Sequence, residues 1–320
     1  MVEEEVETMV LDSMAVRARN LWVGYEEANR ILWALNGINI DVPKGVAFCI
    51  VGESGSGKST FGNAIAGLLP PYAITKGCLE VYNINVINGD RVNYSNIRGN
   101  IVVRIPQNPI AALNPYLKIE SIFFDVLKQR FKIASKDKAL EIALKSIRAV
   151  GLPDDVLNRY PHQLSGGMSQ RVAIALTIAI NPEIVIADEP TSNLDAYLKG
   201  ATLNLLKNIV SVGKTLIVIT HDIVFASALC SFIAVMFMGN IVEVGRTEEV
   251  LSNPLHLYTK ELIDAANLNF RDFKYINNKP EVTLEKCAYA YRCPHYSEKC
   301  NRKPDLRYIN KTHGVACWNL

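Results

Sequence analysis

The sequence predicts an α/β fold, with a largely parallel sheet, a helical insert and a small cysteine-bearing extension at the C-terminal end. Three observations carry this. Short apolar runs at residues 46–51 (VAFCIV), 184–187, 216–220 and 232–238 have the pattern of strands buried on both faces. Helix-forming sequence separates them, the usual connection between parallel strands. Cys287, Cys293, Cys300 and Cys317 crowd into a polar tail that starts near residue 268.

Each element follows in order. Residues 1–15 read as an acidic tail, opening Val2-Glu3-Glu4-Glu5 where a signal peptide would be basic. Residues 16–25 and 35–42 alternate as strands do, and Pro43-Lys44-Gly45 is a turn. After the apolar run 46–51 comes a glycine-rich loop, then a helix to Leu69 that Pro70-Pro71 should stop. Residues 101–105 form a strand ending at Pro106. From 121 to 150 the period is helical, with Ile122, Val126, Ile142, Ile147 and Val150 on the apolar positions. The helical stretch from about 110 to 180 reads as an insert in the sheet. Gly239-Asn240 turns the strand 232–238 into a hairpin with 241–244. No internal repeat is evident.

Composition sets bounds. The chain has 320 residues, 49% hydrophobic and 21% charged, which excludes a disordered polymer. Its 34 basic and 32 acidic residues leave a net charge of +2, too little to track a phosphate backbone, so no nucleic-acid partner is expected. The mean hydropathy of +0.10 invites a search for membrane spans. The longest near-apolar run, residues 172–180, is about half of the roughly 20 needed. A cytoplasmic protein is expected. Cys49, Cys78 and Cys230 read as small buried or half-buried residues.

Gly52-Glu53-Ser54-Gly55-Ser56-Gly57-Lys58-Ser59 fits G-x-x-x-x-G-K-[ST] between a buried strand and a helix, with Thr60 next in line. Glycines let successive N–H groups turn inward as an anion cradle, and the helix N-terminus adds partial positive charge. Lys58 can reach β- and γ-phosphates, and Ser59 can give an oxygen to Mg²⁺. The strand 184–187 ends in Asp188-Glu189. Asp188 suits the Mg²⁺ shell; Glu189 suits polarisation of a water in line with the γ-phosphate. These carboxylates lie at the strand edge where open α/β sheets bind ligands. The cofactors expected are ATP and Mg²⁺.

Leu164-Ser165-Gly166-Gly167-Met168, followed by Gln170-Arg171 and an apolar helix, resembles the signature motif of ABC ATPases. Physically it is a second small-residue helix N-terminus able to face phosphate. The same family order continues around it, over residues of about 16 to 245. Gln107 sits at the Q-loop position and completes the expected Mg²⁺ set with Ser59 and Asp188. Ser192-Asn193-Leu194-Asp195 is similar to the D-loop, His221 to the switch histidine, and Tyr25 to the aromatic that stacks on adenine. The resemblance implies an ABC-type P-loop ATPase domain over 16–250. Two such domains would close head to tail, with Ser165, Gly166 and Gly167 of one completing the site of the other. Glu189 and His221 would be the catalytic pair.

Further segments resemble the ATP-binding subunits of oligopeptide/dipeptide ABC importers: 107–109 with 111–115, 160–163, and 253–259. In that family the 107–115 segment helps form the groove for a coupling helix of the membrane subunit. Ile110, Ala111, Leu113 and Leu117 would suit that contact, or equally the core of the helical lobe. Leu257, where the family usually has proline, and Ser169, often basic there, depart from the pattern without touching phosphate chemistry. The implied partners are a second ATPase subunit (related or identical), two integral membrane permease subunits and, indirectly, an extracytoplasmic solute-binding protein. The implied place is the cytoplasmic face of the membrane, as a peripheral subunit. Oligosaccharide or nickel transport, and a soluble non-transport ABC ATPase, are the competing readings.

Residues 251–320 would be the extension. Four thiols in a polar segment suit tetrahedral zinc or an iron–sulfur cluster. The gaps of five, six and sixteen residues exceed ordinary zinc spacing. Peptide-importer ATPases carry a similar tail, and by that resemblance a [4Fe–4S] cluster on Cys287, Cys293, Cys300 and Cys317 is favoured over Zn²⁺. His295 and His313 read as polar loop residues nearby.

Overall fold

The computed structural model describes residues 13–27, 30–192, 194–267 and 283–320. Most of the acidic tail, 1–12, and Asn193 of the D-loop segment lie outside the described residues. The chain divides into two compact units, one from residues up to 93 and from 219 on, the other from 94–218.

The first unit opens with β1 (Met14–Glu27) and β2 (Arg30–Pro43), an antiparallel pair running from Met14 opposite Pro43 to Glu27 opposite Arg30. Alternation buries one face, with Val16, Ala18, Leu35 and Val42 fully inside. β3 (Ala47–Val51) is buried at all five positions. α1 (Lys58–Ala66) follows the glycine loop. It stops before the two prolines. Gly67, at φ 72°, closes it, and its N–H bonds back to Ala64 O and Asn63 O, so the glycine rather than Pro70 ends the helix. β4 (Ile74–Val81), β5 (Ile84–Asn88) and β6 (Arg91–Val92) complete a five-stranded antiparallel sheet in the order β2-β1-β4-β5-β6.

The second unit holds β7 (Val102–Ile105) and a short helix α2 (Pro109–Ala112). The helical sequence at 121–150 forms two helices, α3 (Ile119–Phe131) and α4 (Lys136–Ala149). Lys132 turns left-handed at φ 55°, and the Ser135 side chain accepts from Lys138 N–H to start the next helix. α5 (Gly166–Ile180) leads to β8 (Ile184–Asp188), which lies parallel to β7, with Val102 opposite Ile184. α6 (Ala196–Ser211) is capped by Asp195, and the wholly buried β9 (Thr215–Thr220) runs across the boundary between units.

Returning to the first unit, α7 (Ile223–Leu229) leads into β10 (Phe232–Phe237), parallel to β3. β10 turns antiparallel into β11 (Asn240–Arg246), the expected hairpin. α8 (Thr247–Ser252) and α9 (Leu257–Ala266) follow. Past residue 282, the two-residue strands β12 (Arg307–Tyr308) and β13 (Gly314–Val315) extend β11. Cys49 of β3 and Cys230, just past α7, form a disulfide with Cα atoms 5.8 Å apart. Both are buried, as expected, and their pairing adds a bond that the sequence reading did not include.

Candidate functional site

The phosphate loop is shaped by glycine geometry. Gly52, Gly55 and Gly57 adopt φ of 153°, 80° and 98°. A side chain at Gly52 would strike the Met236 carbonyl, and one at Gly57 the Ala34 carbonyl. The backbone between β3 and α1 therefore needs glycine at both positions. Gly57 caps α1 without any side-chain acceptor, and the first turn carries no acid. The partial positive charge of that helix start suits an anion. Lys58 is 6% exposed, and its ammonium donates to Gly52 O at 2.8 Å, Glu53 O at 2.7 Å and Ser56 Oγ at 3.3 Å. Ser54 and Gly55 are exposed, as is Ser59, with Thr60 half-buried. Elsewhere in this unit Tyr25 stands edge-on to Tyr72, 6.4 Å between rings. His221 is exposed at the end of β9, and Asp222 beside it caps α7 through Phe225 N–H.

The second unit carries the carboxylates. Asp188, 2% exposed, ends β8 in an ion pair with Arg104 of β7. Glu189 takes a left-handed φ of 46°, and its carbonyl accepts from both the amide and the hydroxyl of Ser192. A glutamate in that conformation is locally strained, and such strain gathers at working sites. Gln107 is exposed after β7. Ser165 is the N-cap of α5 and accepts from Met168 N–H at 3.3 Å, leaving Ser165 and Gly166 exposed and Gly167 buried. Ser169 is buried and donates to Gly166 O, so it braces that turn. None of Ile110, Ala111, Leu113 and Leu117 is buried. Leu113 and Leu117 line an apolar cleft of about 410 Å³ with Ile122, Val126, Ala173 and Leu176.

Three of the four tail cysteines have a backbone donor at the sulfur, and the fourth lies beside a hydroxyl. Tyr289 N–H points to Cys287, His295 N–H to Cys293 and Asn319 N–H to Cys317, each two residues on, while Ser297 Oγ lies 3.7 Å from Cys300 Sγ. Burial, then the nearby thiols, push Cys287 and Cys293 up to about 11 each. Among the described residues, no group of three or more His, Cys, Asp or Glu is gathered so as to hold a metal ion. His313 is not a loop residue in water. It is 2% exposed and bonds Glu243 at 2.8 Å.

Sequence reasoning missed Arg104, although a lone charge inside the strand run IVVRI signals a buried partner. It also missed Arg292 and Tyr258, which meet Glu53 of the phosphate loop. Their partners lie more than 200 residues away along the chain, so no local pattern could show them.

A strand–glycine loop–helix with a buried lysine, and a strand ending at Asp188 just before Glu189, define a P-loop ATPase. The ABC transporter family model matches residues 35–192, and the oligopeptide/dipeptide transporter C-terminal region matches 242–300. The chain is 35% identical over 312 residues to the dipeptide transport ATP-binding protein DppD of Bacillus subtilis, spanning 94% of this chain and 93% of that one. It is 32% identical over 309 residues to the oligopeptide transport ATP-binding protein OppD of Haemophilus influenzae, spanning 94% and 95%. The solved dimeric ATP-binding cassette MJ0796, in a post-hydrolysis state with ADP and Pi, superposes with a TM-score of 0.65 at 31% identity, covering 72% of this chain and 98% of that one. The chain belongs to the family of ATP-binding subunits of dipeptide and oligopeptide ABC transporters, and its activity is ATP hydrolysis that energises transport. Among the described residues no helix is long and apolar enough to cross a membrane.

Proposed function

We propose that this chain drives peptide import as one of two ATPase subunits that close on nucleotide beneath a pair of membrane permeases. Lys58 and the N–H groups of residues 52–60 take the phosphates, and Tyr25 stacks on adenine. Ser59, Gln107 and Asp188 hold Mg²⁺. All three offer oxygen, the donor a hard cation takes, and the ion when bound neutralises phosphate charge. Glu189 polarises the attacking water with help from His221. Ser165, Gly166 and Gly167 face the nucleotide of the partner subunit. The observation that carries this reading is the loop itself, where Lys58 is held by the carbonyls of Gly52 and Glu53 beside an uncapped helix start. A buried cation bonded to backbone oxygen is poised to exchange those weak acceptors for phosphate.

The domain reading that goes with this is a tail over 1–15, an ATPase domain over 16–250 with a helical part at about 110–180, and an extension over 251–320. The cleft beside Leu113 and Leu117 receives a helix of the permease, which places the chain at the cytoplasmic face of the membrane, with a solute-binding protein on the far side. Cys287, Cys293, Cys300 and Cys317 hold a [4Fe–4S] cluster. Support comes from the backbone N–H aimed at three of the four sulfurs, because such donors stabilise thiolate charge. Iron analysis and the visible spectrum of anaerobically purified protein test this directly.

Glu189→Gln tests the mechanism. ATP affinity is expected to stay within about twofold, while turnover of the assembled transporter falls by at least about 100-fold. Hydrolysis at the wild-type rate would remove Glu189 from its role.

A further inference from the structure

The phosphate loop is clasped from the far end of the chain. Glu53 is the one acid in a loop built to bind anions, and its carboxylate is 48% exposed. Arg292 Nη1 donates to both its oxygens, at 3.0 and 3.3 Å. Arg292 Nη2 donates to Glu261 Oε2 at 3.0 Å, and Glu261 accepts a second bond from Tyr289 Oη at 2.5 Å. The guanidinium also lies over the Phe237 and Tyr289 rings, 5.8 and 6.0 Å from their centres. The backbone of Glu53 is held as well, its N–H donating to Tyr258 Oη at 2.9 Å. Tyr258 is fully buried between Phe237 and Tyr289.

The arginine is therefore fixed on three sides before it reaches Glu53. A partly exposed ion pair adds little to folding stability. Its position gives it another use, since an unscreened Glu53 would repel an incoming polyphosphate. We propose that Arg292 is a positioning residue for nucleotide binding, cancelling the Glu53 charge and, with Tyr258, fixing the first residues of the phosphate loop. The segment beside Cys293 is then part of the nucleotide site in function. The inference rests on the reading of residues 52–59 as the phosphate loop.

The test is equilibrium binding of a fluorescent ATP analogue to the full chain as purified, at low and high salt, with thermal unfolding followed in parallel. Arg292→Ala should weaken binding about five- to tenfold at low salt and less at high salt. Arg292→Lys should recover most of the loss. The decisive variant is Arg292→Ala with Glu53→Gln, which restores no contact but removes the repulsion, and should return affinity to within about twofold of wild type. Unchanged binding by Arg292→Ala, or a double variant as weak as Arg292→Ala, would overturn the proposal. Binding that survives Lys58→Ala would instead overturn the phosphate-loop reading beneath it.

Discussion

His256 shows how much one side chain can disclose about its surroundings. It is 3% exposed, its Nδ1 accepts from Tyr258 N–H at 3.1 Å, and its ring stands edge-on to Tyr289. Burial pulls its pKa from 6.5 down to about 4. The unfolded chain therefore takes up a proton between pH 6.5 and 4 that the folded chain refuses. Stability from this group is complete above pH 6.5 and declines as pH falls toward 4, by about 3 kcal/mol in all. Urea unfolding across that range should show the decline, and His256→Asn, which keeps an acceptor but does not titrate, should flatten it. An unchanged slope in the variant would assign the acid sensitivity elsewhere. The same residue scale contains what the sequence hid. Lys58, Asp188 and Glu189 were legible because their neighbours along the chain define their tasks. Arg292 and Tyr258 were not, because their meaning comes from a loop far away in sequence.

Among the elements, the fully apolar strands were the easiest to read. β3, β8, β9 and β10 are each buried along their whole length, so apolar residues fill them except for Asp188 at the end of β8 and the threonines at both ends of β9. β4, β5 and β6 were missed. Their burial is mixed, with Lys76, Glu80, Asn85 and Asn88 facing out, and no clean alternation survives. The helical period read at 121–150 is divided at Lys132, where Ser135 caps the start of the second helix. β11 carries an oddity of the opposite kind, a fully buried Glu243. Its carboxylate accepts Leu255 N–H, His256 N–H and His313 Nε2, all between 2.8 and 2.9 Å. One side chain thus ties a strand to the start of α9 and to the turn before β13. Glu243→Ala would leave three donors without that acceptor, two of them buried, and should cost about 3 kcal/mol or more in urea unfolding. A loss under about 1 kcal/mol would show that the two segments are held by other means.

For the whole molecule, composition and motif order spoke for the class, while the covalent framework was invisible. Cys49 and Cys230 are separated by 181 residues, and nothing in the sequence pairs them. A crosslink of that span restricts the unfolded chain by an amount worth up to about 5 kcal/mol. With Cys49 fully buried and Cys230 at 5% exposure, reductant reaches the bond only when the fold opens. Heating with dithiothreitol should lower the unfolding midpoint, and Cys230→Ser should abolish the difference between reduced and oxidised samples.

The bond also encloses a ring of chain. Residues 49 to 230 contain the phosphate loop, Gln107, the segment at Ser165, Asp188, Glu189 and His221, whereas Tyr25 and the tail cysteines lie outside it. One protease cut anywhere inside the ring leaves both pieces tethered, so the nicked chain migrates as a single band on a denaturing gel until thiol is added. A cut outside it sheds a fragment at once.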